Sequence, residues 1–482
     1  MMGMCSQRDG KKGSRLMMRK YQPITPEIIE ALKKVVGEKY VLVSLGARER
    51  YQTDEETDPR LFHTPEAVVS PGSTAEVAAI MQLANKYDFP VTPRSGGTSV
   101  SCGAIAVCGG IIMLMERLNK IEKIDSAGMY MTVEAGVKTI DIQRAAKEEN
   151  LFYAGDPCSA ENCLIGGNLA TNAGGNKAVR YGTTRNQVYS IEVVTPTGEI
   201  TNLGARLKKC STGYCLDQLV IGSEGTLGII TKATLKLLPL APYKMDVLAI
   251  FTDVQKATGI VPILVRAGLN PTSVEFMDNS FVRVSSDYSE LQMPHYADGS
   301  YVIISIETFD EDELEKKIDK LQKLCLANGA TDVLDADERV WTLRRNCLES
   351  TMALSPVSTS DDFVVPQNAI ALAIDHLCQV AKKYPFRVFT LAHAGDGNLH
   401  FQILKGNLSD KEWEDSLNSF HTEAYEYIYA QGGRLSGEHG IGAKKVRQLE
   451  KYTNPVELEM MRSIKKALDP KDVLNPGKVF NV

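Results

Sequence analysis

The stretch GDPCSAENCLIGGNLATNAGGNKAVRYG, residues Gly155–Gly182, determines how the rest of the chain is interpreted. It contains six glycines and four asparagines but few large apolar side chains. Glycine costs about 0.5–1 kcal/mol relative to alanine in a regular element, so such a run indicates backbone that approaches a ligand closely. Gly166-Gly167-Asn168 and Ala173-Gly174-Gly175-Asn176 can turn successive N–H groups toward a phosphate or a polarised ring edge. A long surface loop is the alternative interpretation.

Two further glycine-rich turns follow strand-like runs. PRSGGTS at Pro93–Ser99 ends the run that begins at Phe89, and GSEGTLG at Gly222–Gly228 follows the apolar run Leu219–Ile221. No G-x-G-x-x-G lies between a strand and a helix, so the pattern is not that of a Rossmann dinucleotide site. Three glycine turns after strands predict one large cofactor that lies extended across several backbone loops.

Composition excludes several classes of protein. The 482 residues carry a net charge of −6 with no concentrated basic face, which argues against nucleic-acid binding. No apolar run reaches the roughly 18–20 residues of a transmembrane segment. Residues 1–20 carry positive charge without an apolar core, so we expect a disordered tail rather than a secretory signal. The ten cysteines include no C-x-x-C, which predicts reduced thiols, no iron–sulfur cluster and a cytoplasmic location.

The N-terminal part of the chain has the pattern of an α/β unit. Thr25–Val36 and Ser73–Tyr87 each begin at a capping residue and carry an apolar stripe, which predicts helices. Strand-like runs and glycine turns alternate with these helices. We therefore expect one domain over residues 21–240.

The remainder of the chain predicts a second domain and a returning segment. After Pro239, two β-α-β passes of similar size predict a ferredoxin-like cap over residues 241–429. Residues 430–482 contain a glycine loop and a predicted helix near Pro455–Leu468, and we expect them to return to the first domain.

Two histidines lie at the base of a predicted hairpin, HAGDGNLH at His393–His400. The turn Asp396-Gly397-Asn398 favours such a hairpin because glycine tolerates positive φ. Imidazoles brought face to face in this way are suited to binding a metal, and Glu438 could be a third ligand. The alternative is that both histidines are ordinary cross-strand residues.

Five motif regions occur together, in the order in which one known family has them. They are PRSGGTS; GDPCSAENCLIGGNLATNAGGNKAVRYGTTRNQV; LVIGSEGTLGIITKATLKLLP; HAGDGNLH with GEHGIG; and LDPKDVLNPGKVF. With this set the chain resembles the FAD-linked oxidases of the glycolate oxidase D-subunit and D-lactate dehydrogenase type, within the vanillyl-alcohol-oxidase-like flavoprotein superfamily. The resemblance implies an α+β fold: a PCMH-type FAD-binding domain of two α/β subdomains, a ferredoxin-like cap domain and a C-terminal helical segment.

The resemblance, together with the glycine turns, predicts the residues that contact FAD. They are Pro93, Arg94, Ser95, Gly96, Gly97, Thr98, Ser99, Pro157, Ser159, Ile165, Gly166, Gly167, Asn168, Thr171, Ala173, Gly174, Gly175, Glu224, Gly225, Gly228, Ile229, Ile230 and Asn475.

The resemblance also implies a metal ion and catalytic residues. A divalent ion, which is zinc, manganese or iron(II), would be held by His393, His400 and Glu438. His439 is assigned as the general base, since imidazole suits removal of a hydroxyl proton near neutral pH; hydrogen bonding at a helix N-terminus is the alternative. Arg344 matches the arginine that pairs with the substrate carboxylate, although Arg345 next to it could take this role.

The implied reaction is oxidation of a small D-2-hydroxy acid, with D-lactate as the first choice, by hydride transfer to flavin N5. Some members of this family have a lysine shortly before the Asp-x-x-x-Pro motif, but Ser360–Pro366 has none. Gln402 stands where members of the family often have an asparagine. Both departures favour lactate or glycolate over a long dicarboxylic acid. With no heme, iron–sulfur or nicotinamide motif in the sequence, the expected electron acceptor is external, such as an electron-transferring flavoprotein. The alternatives are a glycolate oxidase subunit, a non-redox flavin transferase resembling alkyl-dihydroxyacetone-phosphate synthase, a flavin electron-transfer subunit with a silent cap, and a flavin-free metal hydrolase.

Overall fold

The structure is a computed structural model that describes residues 20–482. The tail predicted for residues 1–20 therefore lies outside the described residues except for Lys20. No helix among the described residues is long and apolar enough to cross a membrane. The chain forms three larger sheets and one two-stranded sheet within this range.

The first sheet has the order β1-β2-β4-β3, and β4 runs parallel to both β2 and β3. Its elements are β1 Val41–Leu42, β2 Ala67–Val69, β3 Val91–Arg94 and β4 Ile111–Leu114, with helices α1 Pro26–Val36, α2 Leu45–Arg48 and α3 Thr74–Tyr87. Thr25 and Ser73 cap α1 and α3, because each side chain accepts a hydrogen bond from a backbone N–H in the first turn. The two predicted helices are confirmed.

The second sheet is antiparallel, with the order β5-β6-β10-β8-β9. Its strands are β5 Ile121–Asp125, β6 Tyr130–Glu134, β8 Val188–Val194, β9 Ile200–Gly204 and β10 Ile229–Lys236. The short pair β7 Leu151–Phe152 and β11 Leu238–Pro239 forms the two-stranded sheet. The associated helices are α4 Thr139–Glu148, α5 Ile165–Thr171, α6 Ala178–Tyr181 and α7 Leu216–Val220.

The glycine- and asparagine-rich stretch differs from the predicted irregular backbone over α5. There the N–H of Gly166 donates to Ala135 O at 2.8 Å, and the N–H groups of Gly167 and Asn168 both donate to Leu164 O. The sequence predicts that these three N–H groups could bind a phosphate. In the structure they are not free to do so, because each donates a hydrogen bond to a backbone carbonyl. The reason is that Ile165 and Leu169 are fully buried, so their packing stabilises a helix despite the two glycines.

The third sheet is antiparallel throughout, with the order β15-β12-β14-β13-β17-β18-β16. Its strands are β12 Tyr243–Phe251, β13 Ser273–Met277, β14 Ser300–Thr308, β15 Asp332–Asp335, β16 Ser358–Val364, β17 Arg387–His393 and β18 Asn398–Leu404. The helices are α8 Val254–Arg266, α9 Asn279–Ser289, α10 Glu311–Ala327, α11 Glu338–Arg345, α12 Cys347–Met352, α13 Ile370–Ala381 and α14 Asp410–Ala430. The first four strands have the ferredoxin-like order, and the predicted hairpin β17–β18 lies beside them.

The two faces of this sheet have different roles because side chains alternate along each strand. Residues such as Val274, Phe276 and Phe401 point into an apolar core shared with α8, α10, α13 and α14. The register pairs Glu275 with His393 and Asp362 with His400, which puts polar side chains on the opposite face. Part of that opposite face is covered by α9, α11 and α12.

The end of the chain returns to the first sheet. After α15 Val446–Tyr452 and α16 Pro455–Leu468, Leu474 forms a parallel bridge with Val91. Val91 O accepts the N–H of Asn475 at 2.8 Å, and the buried Lys465 ammonium donates to Thr226 O and Leu474 O. This segment therefore connects the first sheet to the third glycine turn.

Candidate active site

A cavity of about 480 Å³ lies between the glycine turns and the third sheet. All three predicted turns contribute to its wall, and His400, Gln402, Glu438, His439 and Arg344 line it from the other side. The structure thus brings together segments that are hundreds of residues apart in sequence.

Eighteen of the predicted FAD contacts line this cavity, and Arg94, Ile165, Gly174, Gly175 and Asn475 do not. The Arg94 guanidinium donates to Thr53 O at 2.7 Å. Ile165 is fully buried in the core of the second sheet. Asn475 donates to Glu224 O at 2.8 Å, so it supports the cavity wall from behind.

The PRSGGTS turn has the backbone that an extended anionic cofactor needs. Among residues 20–482, no group accepts a hydrogen bond from the N–H groups of Gly96, Gly97, Thr98 or Ser99, and all four line the cavity. A Cβ on Gly96 would lie 2.5 Å from Asn162 O, so only glycine allows this turn to contact the central stretch. Free N–H groups in succession can bind the pyrophosphate of FAD, and the donor set therefore fits that cofactor.

Glu224, which the sequence predicts to contact FAD, lines the cavity and also connects two segments of the site. Its carboxylate accepts the backbone N–H groups of Ile441 and Gly442, each at 2.7 Å, and is almost fully buried. It therefore joins the third glycine turn to the loop that carries Glu438 and His439, while also lining the cavity.

The hairpin and the Gly437–Gly442 loop bring three histidines into one cluster. The ring centroids of His393 and His400 are 5.1 Å apart, and those of His400 and His439 are 4.9 Å apart. Glu438 Oε1 lies 3.2 Å from the Nε2 atoms of both His393 and His400. A Cβ on Gly174 would lie 2.6 Å from Glu438 Oε2, so the central stretch approaches this carboxylate as closely as glycine permits.

These three groups can hold a metal ion. One ligand atom each from His393, His400 and Glu438 lies within 4.8 Å of the others. Burial alone would raise the pKa of Glu438, but the two imidazoles hold it well below its usual range, so the carboxylate is ionised. Two imidazole nitrogens and one carboxylate oxygen are a donor set that suits zinc, manganese or iron(II), and three protein ligands would leave coordination positions for a substrate.

His439 stands beside the cluster with its Nε2 atom 3.9 Å from Glu438 Oε1. Burial lowers the pKa of His439 to about 4, so its ring is neutral at pH 7. A neutral imidazole has one nitrogen lone pair that can accept a proton.

Arg344 lines the cavity but is paired with a carboxylate that the sequence analysis missed. Its Nη2 atom lies 2.8 Å from Oε2 of Glu275, and both side chains are buried. Arg345 also lines the cavity and has a largely exposed side chain. In the sequence, Glu275 could have been noticed only as a lone carboxylate in the apolar strand SVEFM. Asp362, which pairs with His400 across the sheet, could have been noticed only as part of the acidic pair in SDDFVVP.

Two protein-family models match the chain. The FAD binding domain matches residues 65–204, and the C-terminal domain of FAD linked oxidases matches residues 241–479. These ranges contain the first two glycine turns and the histidine cluster respectively.

Relatives are similar over nearly the whole chain. A D-lactate dehydrogenase of Anaerostipes hadrus is 35% identical over 95% of this chain and 98% of its own length. The glycolate oxidase subunit GlcD of Bacillus subtilis is 33% identical over 95% of this chain and 97% of its own length.

Solved structures share the fold at low identity. p-Cresol methylhydroxylase has a TM-score of 0.78 at 16% identity, covering 94% of this chain and 96% of its own. Alkyldihydroxyacetonephosphate synthase has a TM-score of 0.73 at 20% identity, and the match covers 94% of this chain and 84% of its own. With a flavin-type cavity, both family models and relatives of this coverage, the chain belongs to the FAD-linked oxidases and is an oxidoreductase of the D-lactate dehydrogenase and glycolate oxidase type.

Proposed function

We propose that the protein oxidises a small D-2-hydroxy acid, with D-lactate as the first candidate, and passes the electrons to a separate acceptor. One observation carries the proposal: Glu438, His400 and His439 line the same cavity as the free N–H groups of the PRSGGTS turn. The substrate can therefore meet a metal-binding cluster and a flavin in one space. The similarity to D-lactate dehydrogenases gives further support.

Bound FAD would supply the acceptor for a hydride from the substrate carbon. A divalent ion, held by His393, His400 and Glu438, would polarise the substrate hydroxyl. The protein itself must orient the acid and remove the hydroxyl proton.

His439 is proposed to accept the hydroxyl proton at Nε2. Its ring is neutral at pH 7 because burial lowers its pKa, so the lone pair is available before the reaction. Its Nδ1 atom is buried without a hydrogen-bond partner among the described residues, and Asp362 lies 3.9 Å from it. The nearby carboxylate would stabilise the positive charge that the ring gains.

Arg344 is proposed to bind the substrate carboxylate. Glu275 accepts hydrogen bonds from Nε and Nη2 of Arg344, which fixes the plane of the guanidinium group. Arg344 still lines the cavity. A fixed planar guanidinium can orient a carboxylate more strictly than a flexible ammonium. The exposed Arg345 is the alternative.

The cavity also suggests the size of the substrate. Leu391, which pairs with His400 across the sheet, lines the cavity together with Phe281. The neutral pair Gln402 and Ser360 from the neighbouring strands also lines it. We propose that an acid with a short neutral side chain is preferred over one with a second carboxylate. Glycolate is the second candidate, which the relative named glycolate oxidase subunit supports.

An anaerobic experiment tests the proposal. D-lactate, L-lactate, glycolate, malate and 2-hydroxyglutarate are each mixed with the purified protein, and flavin absorbance is followed. We expect D-lactate to bleach the flavin fastest, and subsequent addition of an electron-transferring flavoprotein to restore the absorbance. Bleaching by L-lactate alone would overturn the stereochemistry, and bleaching by none of the acids would favour a non-redox transferase.

A further inference from the structure

The loop between β9 and α7 is a basic surface on a chain that is negative overall. All of residues 204–216 are exposed, and they include Arg206, Lys208 and Lys209 but no aspartate or glutamate. None of these three side chains has an ion-pair partner among residues 20–482. Because the chain carries a net charge of −6, the β9–α7 loop, residues 204–216, reverses the prevailing sign of the surface.

Apolar side chains are exposed in the same loop. Tyr214 is 93% exposed, and Leu207 and Leu216 are also exposed. Single exposed apolar residues are ordinary, but three in one short loop concentrate apolar surface in one place. Tyrosine and arginine are enriched in protein–protein interfaces. The loop therefore has the composition of a protein-binding surface, and its charge suits an acidic partner.

Arg206 fixes the beginning of the loop. Its guanidinium carbon lies 4.5 Å from the centroid of the Tyr130 ring, and Tyr130 is buried on β6. A cation is attracted to the face of an aromatic ring, so this side chain is held in place before a partner binds. Less conformational entropy is then lost on binding.

The helix α7, Leu216–Val220, connects the loop to the flavin cavity. Leu216 and Leu219 are exposed on this short helix, whereas Val220 is buried and lines the cavity. The third glycine turn begins at Gly222, shortly after the helix ends. Since a helix with its side chains is about 10–12 Å thick, a protein bound to the loop would lie about one helix away from the flavin.

We propose that the β9–α7 loop is the docking surface for an acidic protein that takes electrons from the reduced flavin. This inference rests on the proposed function, which requires a separate electron acceptor. The hydride from the substrate brings two electrons and one proton to the flavin; the partner's redox group takes the two electrons, and the proton goes to solvent. The loop attracts an acidic face while the rest of the negative surface repels it, so the partner is oriented toward the cavity.

Charge reversal in the loop tests the docking surface. Lys208→Glu with Lys209→Glu changes two exposed side chains, so this loop variant removes no buried contact. Lys316→Glu with Lys323→Glu is the matched control, because it makes the same change of charge at two exposed positions on α10.

The probe is the oxidised electron-transferring flavoprotein of the organism that makes this chain. The FAD of each protein is first reduced with dithionite under anaerobic conditions, and the probe is then added in a stopped-flow instrument. Loss of the probe's own flavin fluorescence gives the rate of electron transfer. We expect the wild-type rate to fall as salt is added. The loop variant should be at least about tenfold slower at low salt, and the control should match the wild type.

The outcomes separate this inference from the proposed function. Reduction of the flavin by D-lactate and the FAD content should be the same in all three proteins, since no residue of the loop lines the cavity. Failure of D-lactate to reduce the flavin would contradict the proposed substrate and leave the dithionite measurement valid. Equal rates of electron transfer in the loop variant and the wild type would overturn the docking surface. A wild-type flavin that ferricyanide oxidises but the probe does not would overturn it as well.

Sedimentation with phosphatidylglycerol vesicles tests an anionic membrane as the occupant of the loop. We expect the wild type to stay in the supernatant. Binding of the wild type but not of the loop variant to these vesicles, with equal rates of electron transfer, would identify the loop as a membrane contact and overturn the inference.

Discussion

Glu224 accepts the backbone N–H of Gly442 at 2.7 Å, across 218 positions of sequence. The contact joins the last glycine turn of the flavin cavity to the loop that presents Glu438 and His439. We therefore expect FAD binding and the position of Glu438 and His439 to depend on this one buried carboxylate.

Glu224→Gln should weaken both the binding of FAD and the attachment of the loop that carries Glu438 and His439. The amide keeps one acceptor but turns an NH₂ group toward one of the two backbone N–H donors, which leaves a buried group unpaired and costs about 1–3 kcal/mol. Urea unfolding would show the lower stability, and gel filtration would show lost FAD. Glu38→Gln, at a largely exposed glutamate, is the control and should change neither.

His439→Ala should separate cofactor binding from chemistry. Loss of a general base slows proton transfer by about 10²–10⁴-fold, so anaerobic flavin reduction by D-lactate should fall by that factor while the FAD content stays the same. His376→Ala, which removes a partly exposed ring stacked on Tyr427, should leave the rate unchanged. An unaltered rate in His439→Ala would remove this residue as the base.

Metal removal should slow reduction without releasing FAD. Because a Lewis acid at the hydroxyl contributes several kcal/mol to transition-state stabilisation, treatment with a chelator should lower the rate by at least about tenfold. Zinc, manganese or iron(II) should restore it, and stopped-flow absorbance would identify the most effective ion. In His400→Ala the slow rate should no longer respond to chelator or added ion; a full response there would show that the ion binds elsewhere.

The two adjacent arginines can be distinguished by the same substitution. Arg344→Lys keeps the charge but loses the planar pair of donors, so KM for D-lactate should rise by more than about tenfold. Arg345→Lys, at a largely exposed side chain, should change KM by less than about twofold. Steady-state kinetics with an artificial acceptor would test this, and the reverse result would assign the carboxylate to Arg345.

Local signals explain what could be predicted from the sequence. The helices after Thr25 and Ser73 begin at those residues because capping and apolar periodicity act within a few positions. The hairpin of His393 and His400 was predictable for the same reason, since its turn and its register lie within eight residues. The domain boundaries near residues 240 and 430 stay predictions.

What could not be predicted depends on distant partners. Glu275 meets His393 from 118 positions away, and Asp362 meets the backbone of His439 from 77 positions away. No local pattern encodes either approach, because each results from the strand order of the third sheet. The glycines of α5 were misleading for a related reason: tertiary burial of Ile165 and Leu169 outweighs the local cost of glycine in a helix.

The bridge between Val91 and Leu474 has a consequence for biosynthesis. On the ribosome, the strand that contains Val91 emerges several hundred residues before its neighbour at the far end of the chain. In the nascent flavin-binding half, the strand that contains Val91 must therefore lack this neighbour while the entire cap is translated. Capture of the cofactor is accordingly expected as a late event in maturation, after the cap has been translated.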